Sequence, residues 1–170
     1  MSNETTGSGI SAARGGVLKS LGGLVVALAV VFAAASCGAL FMPDAWYAAL
    51  TKPPLNPPNW IFGPVWTTLY VFMAISVWLI WRRRGEVRIG IALTLFAIQL
   101  VLNSLWTPLF FGAHQPLAAL LDLVLLWLVI VATIVRFWPI SRVAALLLAP
   151  YLAWVSFAGY LNAGLWWLNR

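Results

Sequence analysis

Gln99, Asn103, Trp106 and Phe110 recur at i, i+4, i+7 and i+11, the spacing of a single helical face. Two amides and two aromatic rings in one stripe can hydrogen-bond and stack, which is the chemistry of holding a flat, mostly apolar molecule. Two further stripes have the same character: Trp154, Ala158 and Asn162 at i, i+4 and i+8, and Trp66 with Tyr70 at i and i+4. A buried indole needs a partner for its N–H and offers a broad face to whatever it encloses. Asn and Gln in such stripes serve equally well as interhelical hydrogen-bond glue, so spacing alone leaves both roles open. The sequence shows no nucleophile–base pair, metal-ligand cluster or phosphate loop, and Cys37 and His114 are single residues without evident partners.

The stretches that carry these residues are of membrane length. The chain is 63% hydrophobic and 8% charged, far below the charge content of soluble domains. Uncharged runs extend over 20–43, 53–81, 89–121 and 143–169, each longer than the ~20 residues that cross a bilayer core. A fifth, 117–135, is interrupted only by Asp122. Backbone in lipid must satisfy its own hydrogen bonds, so the expected fold is an all-α integral membrane protein, a bundle of five transmembrane helices. The expected spans are about 17–42, 60–81, 89–111, 117–138 and 143–168, in one domain over 17–170 behind a disordered tail, 1–16. Of the eleven tryptophans, those at span ends suit the headgroup level. Trp66, Trp106, Trp127 and Trp154 lie too deep for that and are expected to face inward.

Five spans put the N-terminus and the connections at 82–88 and 136–142 on one side of the membrane. That side holds Arg14, Lys19, Arg82, Arg83, Arg84, Arg88, Arg136 and Arg142, against Lys52 and Arg170 on the other. Basic residues gathered at helix ends in this way follow the positive-inside rule, and the pI near 10.3 therefore does not point to nucleic acid. The expected location is a bacterial inner membrane with a cytoplasmic N-terminus. Ala33-Ala34-Ala35-Ser36-Cys37 has the look of a lipoprotein-like cleavage site. The apolar run continues through Leu40, Phe41 and Met42, however, which favours a retained span whose small residues allow close packing.

The first connection, 43–59, is long and contains Trp46 and Tyr47, with Trp60 just past its end, beside four prolines within 53–58. Proline stiffens such a segment toward extended geometry, and aromatics on a stiff loop are expected to pack as a lid on the mouth of the bundle. At 1.5 Å per residue, Trp66 lies roughly 9 Å below the lid side, Asn103 roughly 12 Å and Asn162 roughly 9 Å. Asp122 has similar depth and reads equally as a partly solvated carboxylate near the interface. Glue has no reason to gather in one half of a bundle, whereas a pocket beneath a lid does.

These segments carry a resemblance. Trp46-Tyr47, Lys52 to Pro58, Trp66 to Tyr70, Gln99 to Gly112 and Pro150 to Trp154 occur in order and are similar to motifs of the translocator protein family. That family is also called the tryptophan-rich sensory protein or peripheral-type benzodiazepine receptor family. The resemblance implies a commonly dimeric bundle in the lipid bilayer that needs no cofactor and takes porphyrins and haem as ligands. Steroids such as cholesterol and benzodiazepine-site drugs are the other ligand classes it implies. It places Tyr47, Pro54, Trp66, Asn103, Trp106, Phe110, Trp154 and Ala158 in the ligand site. Some family members promote light-driven porphyrin breakdown, which makes Trp66 and Trp154 candidate reactive residues and leaves an enzyme-like role open beside binding, sensing or transport. The chain departs from the proposed cholesterol pattern, because Asn162 is followed by Ala163-Gly164-Leu165-Trp166-Trp167 and Tyr160 lies too far from Arg170. His114 reads as a loop residue more readily than as a haem ligand. The basic asymmetry makes one prediction: a reporter active only in the cytoplasm works when fused to the N-terminus and fails at the C-terminus. The reverse pattern would show the orientation to be inverted.

Overall fold

In the computed structural model the backbone is described for residues 5–170 and the side chains for 20–38 and 40–170. Every regular element among the described residues is helical: α1 (Thr5–Ala39), α2 (Ala45–Ala49), α3 (Phe62–Arg82), α4 (Gly90–Thr107), α5 (Pro116–Phe137), α6 (Arg142–Leu147) and α7 (Ala149–Leu168). Five stretches are long and apolar enough to cross a membrane: Ser20–Gly38, Asn59–Arg82, Gly90–Gly112, Pro116–Phe137 and Arg142–Leu168. The last combines α6 and α7.

Proline explains where the spans depart from the simple pattern. Pro116 opens α5 and Pro64 sits in the first turn of α3, where a missing N–H costs nothing. Pro108 cannot donate to the Ser104 carbonyl, and the helix widens there into a π turn, Pro108–Gly112, in which the Ala113 N–H reaches the Pro108 carbonyl at 2.8 Å. Pro150 acts likewise on the last span and separates α6 from α7 at Leu148. Two expectations need correction. The backbone is helical from Thr5, where a disordered tail over 1–16 was expected, because extending an existing helix is far easier than nucleating one. Residues 1–4 and the side chains of Arg14 and Lys19 lie outside the described residues. The lid, 43–59, is not wholly irregular either. Asp44 caps the short helix α2 by accepting the Tyr47 N–H at 3.1 Å.

The spans close into a ring: α3 packs on α1, α1 on α4, α4 on α5, α5 on α7, and α6 returns to α3. The half of the ring on the Arg-rich side is solid. Met73, Ala74, Ile80, Phe96, Ile130, Phe137, Ala144 and Ala145 are buried there. Its small residues bring backbones close enough for the Ser76 hydroxyl to donate to the Ala144 carbonyl at 2.7 Å, and the Trp78 indole donates to the Ser20 carbonyl at 2.8 Å. On the lid side α3 and α7 stand apart across aromatic rings, with Trp66 facing Tyr151 at 6.2 Å and Phe62 facing Trp154 at 5.8 Å. Because Ala144 is fully buried at the tight α3–α6 seam, Ala144→Leu should destabilise the protein by about 1–3 kcal/mol through overpacking. Thermal unfolding in detergent measures this, and an unchanged midpoint would show the seam to be loose.

Candidate functional site

The separation of helices on the lid side leaves a cavity of about 650 Å³, within the range of roughly 300–1,000 Å³ typical of small-molecule sites. Its wall is built from Ala35 and Gly38 of α1, Phe62, Trp66 and Tyr70 of α3, and Asn103, Trp106 and Phe110 of α4 and its π turn. Leu123 and Leu126 of α5 and Trp154, Ala158 and Leu161 of α7 complete it, and Tyr47 of the lid closes it. The exposed residues Met42, Pro43, Asn59 and Trp60 line its mouth.

Hydrogen bonds fix the polar part of this wall. The Tyr70 hydroxyl donates to Asn103 Oδ1 at 3.1 Å, tying α3 to α4 across the cavity. The Trp106 indole N–H donates to Asn162 Oδ1 at 3.0 Å, and Asn162 Nδ2 donates to the Pro116 carbonyl at 2.7 Å. One asparagine therefore links α4, α7 and the start of α5. Trp66 stacks on Tyr70 at 5.4 Å and Trp106 on Phe110 at 5.1 Å, both nearly parallel. The Trp154 N–H is buried without a protein partner. The wall thus presents flat aromatic faces with a few fixed amides, an arrangement that can enclose and orient a planar ligand. Among the described residues no group of three or more His, Cys, Asp or Glu could hold a metal.

The lid is pinned at both ends. His114 Nε2 and Asp44 Oδ2 are 3.0 Å apart, and since a carboxylate only accepts, Nε2 carries the proton. The imidazole also stacks on Trp46 at 4.3 Å. The Lys52 ammonium donates to the carbonyls of Tyr47, Ala48 and Leu50 at 2.9, 3.2 and 3.1 Å, placing a cation at the C-terminus of α2. Farther along, Thr51 and Asn169 exchange hydrogen bonds at 2.8 and 3.0 Å, and the Tyr160 hydroxyl donates to the Pro54 carbonyl at 3.0 Å. A Cβ on Gly164 would come within 2.7 Å of Pro53, so the lid seats against α7 only because that residue is glycine. Leu55 has φ 65°, a left-handed conformation that costs a leucine roughly 1–2 kcal/mol and that these flanking contacts hold in place. Burial raises the Tyr47 phenol above its ordinary value, leaving it a neutral hydroxyl under the lid.

Tyr47, Trp66, Asn103, Trp106, Phe110, Trp154 and Ala158 all lie in the cavity wall. Pro54 does not: it is exposed and contributes its carbonyl to Tyr160. Trp127 is also displaced from its expected inward position. It falls one residue off the buried stripe of α5 at Ala119, Leu123, Leu126 and Ile130, is 38% exposed, and donates its N–H to Ser156 at 2.9 Å. Gln99 and Asp122 are buried without protein partners but stay out of the wall. Phe62, Leu161 and Leu165 are wall residues that inspection of polar and tryptophan positions passed over. Their signal was present: Phe62 precedes Trp66 by four residues, and Leu161 and Leu165 continue the Trp154–Ala158 face.

The Asp44 carboxyl lies below the ordinary carboxylate value, chiefly because it accepts the Tyr47 N–H and also because of His114. A depressed folded-state value stabilises the cap above the ordinary value, 3.8, and that contribution is lost as pH falls through the lower, folded one. Protection of the Tyr47 and Ala48 amides, taken as exchange relative to the intrinsic rate at each pH, should therefore hold from neutral pH down past 3.8 and fall only below it. Asp44→Ala should exchange faster already at neutral pH. Equal protection in both proteins at neutral pH would show that the carboxylate does not hold α2.

The chain matches the TspO/MBR family over residues 25–168. It is 44% identical over 146 residues to protein CrtK of Rhodobacter capsulatus, covering 83% of this chain and 91% of that one. It is 44% identical over 153 residues to the tryptophan-rich protein TspO of Chlorobaculum tepidum, covering 86% and 95%. With the translocator protein of Bos taurus it shares 46% identity over 127 residues, 74% of this chain and 75% of that one. A five-span bundle with a cavity under its first loop, matched by relatives over most of their length, belongs to the TspO/MBR family of membrane proteins.

Proposed function

We propose that the protein is a membrane receptor, sensor or transporter that holds porphyrins or haem in the cavity beneath its lid, as ligand rather than as cofactor. Membership of the family supports the coarse role, a sensor- or receptor-like membrane protein. The finer reading rests on one observation: three indoles, Trp66, Trp106 and Trp154, share the wall of a single cavity with Asn103. Flat faces at that density suit a macrocycle, whose ring gains apolar and stacking contact on both sides. With the N-terminus in the cytoplasm of a bacterial cell, the lid and the cavity face the opposite compartment. The Tyr160 hydroxyl is engaged with the lid, which gives no support to sterol recognition through that residue.

A second reading has its own support. Trp66 lies parallel to Tyr70, and the buried Trp154 N–H has no protein partner, so electron-rich indoles border the space a photosensitiser would fill. Light-driven porphyrin oxidation there would need dioxygen as oxidant. Quenching of tryptophan fluorescence by protoporphyrin, followed in the dark and under light, tests both readings. Saturable dark quenching is expected, and its absence refutes the binding role. Trp66→Phe and Trp154→Phe should keep dark affinity within about threefold, since phenyl preserves much of the stacking area. Light-dependent porphyrin loss that disappears in these variants supports the reactive role, and its absence in the wild type eliminates it.

A further inference from the structure

Among the described residues, no Asp, Glu, Lys, Arg or His lines the cavity wall. Asp122, the carboxyl nearest in depth, is buried on α5 outside the wall. The cations on the lid side are also engaged. Lys52 gives all three of its N–H groups to carbonyls at the end of α2, and Arg170 lies 3.2 Å from the centre of the Trp167 ring. His114 is bound to Asp44. Among the described residues there is thus no cation directed at the cavity, and an ionised carboxylate drawn inside would lose its hydration with no opposite charge to offset the loss. The mouth, by contrast, is lined by exposed residues, Asn59 and Trp60 among them.

We infer that the cavity takes up only the uncharged body of its ligand and leaves ionised groups hydrated at the mouth. This deepens the porphyrin reading and rests on it. The ligand class is a flat lipophile whose charges, where it has any, sit on one edge. Protoporphyrin meets that description, since both of its carboxylates project from the same edge of the ring. Recognition then depends on the ring faces and is indifferent to whether the carboxylates are free or esterified. A site built on ion pairs would discriminate sharply between the two forms.

The test compares protoporphyrin with its dimethyl ester by saturable tryptophan quenching of the purified full-length protein, in the dark and at neutral pH. The ester is expected to bind within about threefold of the free acid, or more tightly. Raising ionic strength from about 0.01 M to about 1 M shortens the screening length from roughly 30 Å to roughly 3 Å. Affinity for the free acid should change by less than about threefold over that range. An ester more than about tenfold weaker than the acid, or an acid affinity that falls about tenfold with salt, would show carboxylate pairing and overturn this inference while leaving porphyrin binding intact. If neither compound quenches saturably, porphyrin binding itself is refuted and the inference falls with it.

Discussion

A peptide group in hydrocarbon has no water to bond and must find its partner within the protein, chiefly in its own helix, and the architecture of this protein follows from where that constraint is kept and where proline relaxes it. Pro64 and Pro116 stand at helix starts and leave their spans regular. Pro108 falls within a span already under way, and Pro150 marks the point where α6 gives way to α7. At Pro108 the helix widens and the Ala113 N–H reaches back five residues, so the hydrogen-bonded backbone continues past the proline. The wide turn also carries Phe110 and Phe111 under the lid, where both rings meet Tyr47 edge-on at 6.2 and 5.3 Å. A backbone defect on the lid side thus becomes the seat of the lid.

The same constraint decides how the hollow half stays open. A cavity between helices loses the packing that a solid core would supply, so other contacts must hold its walls apart at fixed positions. On one side Asn162 joins α4, α7 and the start of α5 through two hydrogen bonds. On the other, Tyr70 and Asn103 join α3 to α4. Each such bond contributes on the order of 1 kcal/mol net. That is enough to fix side-chain geometry but too little to hold a bundle together alone. The bulk of the stability comes from the solid half, where Met73, Ile80, Ile130 and Phe137 are fully buried. Glue and pocket wall, which spacing could not separate, are here the same residues: Asn103 and Asn162 bond between helices and line the cavity.

The five spans could be read from the sequence because lipid imposes a coarse pattern, long uncharged runs with arginines gathered at their ends. The tryptophan- and asparagine-bearing faces could be read because helical periodicity carries Asn103, Trp106 and Phe110 to one side. What could not be read depended on tertiary contacts or on local competition. Trp127 occupies a depth like that of the wall indoles, yet it lies beside the buried stripe rather than on it, and depth alone cannot distinguish the two. Pro54 sits in the lid motif, but its role is set by a carbonyl facing Tyr160, which side-chain reasoning does not see. The short helix α2 was hidden among turn-forming residues because it depends on a cap from Asp44 and on the Lys52 side chain folding back onto its last carbonyls. His114 gave no sign of its partner, since Asp44 lies 70 positions away.

The lid and the walls are held by different physics. The walls are helices within lipid, where opening a backbone hydrogen bond leaves both groups without a partner. The lid lies at the aqueous boundary, where water replaces any contact that breaks. An exposed contact such as the Asp44–His114 hydrogen bond contributes little there, and the Thr51–Asn169 and Tyr160–Pro54 bonds are also exposed. Segments with few buried contacts and solvent-accessible hydrogen bonds open at the lowest free energy in a structure. The lid between Met42 and Trp60 meets that description, although Tyr47 at its centre is buried on Phe110 and Phe111. The first opening expected of this structure is therefore in the lid, where the seat of Tyr47 on Phe110 and Phe111 is the buried apolar contact that resists it, and not in the separation of the helices.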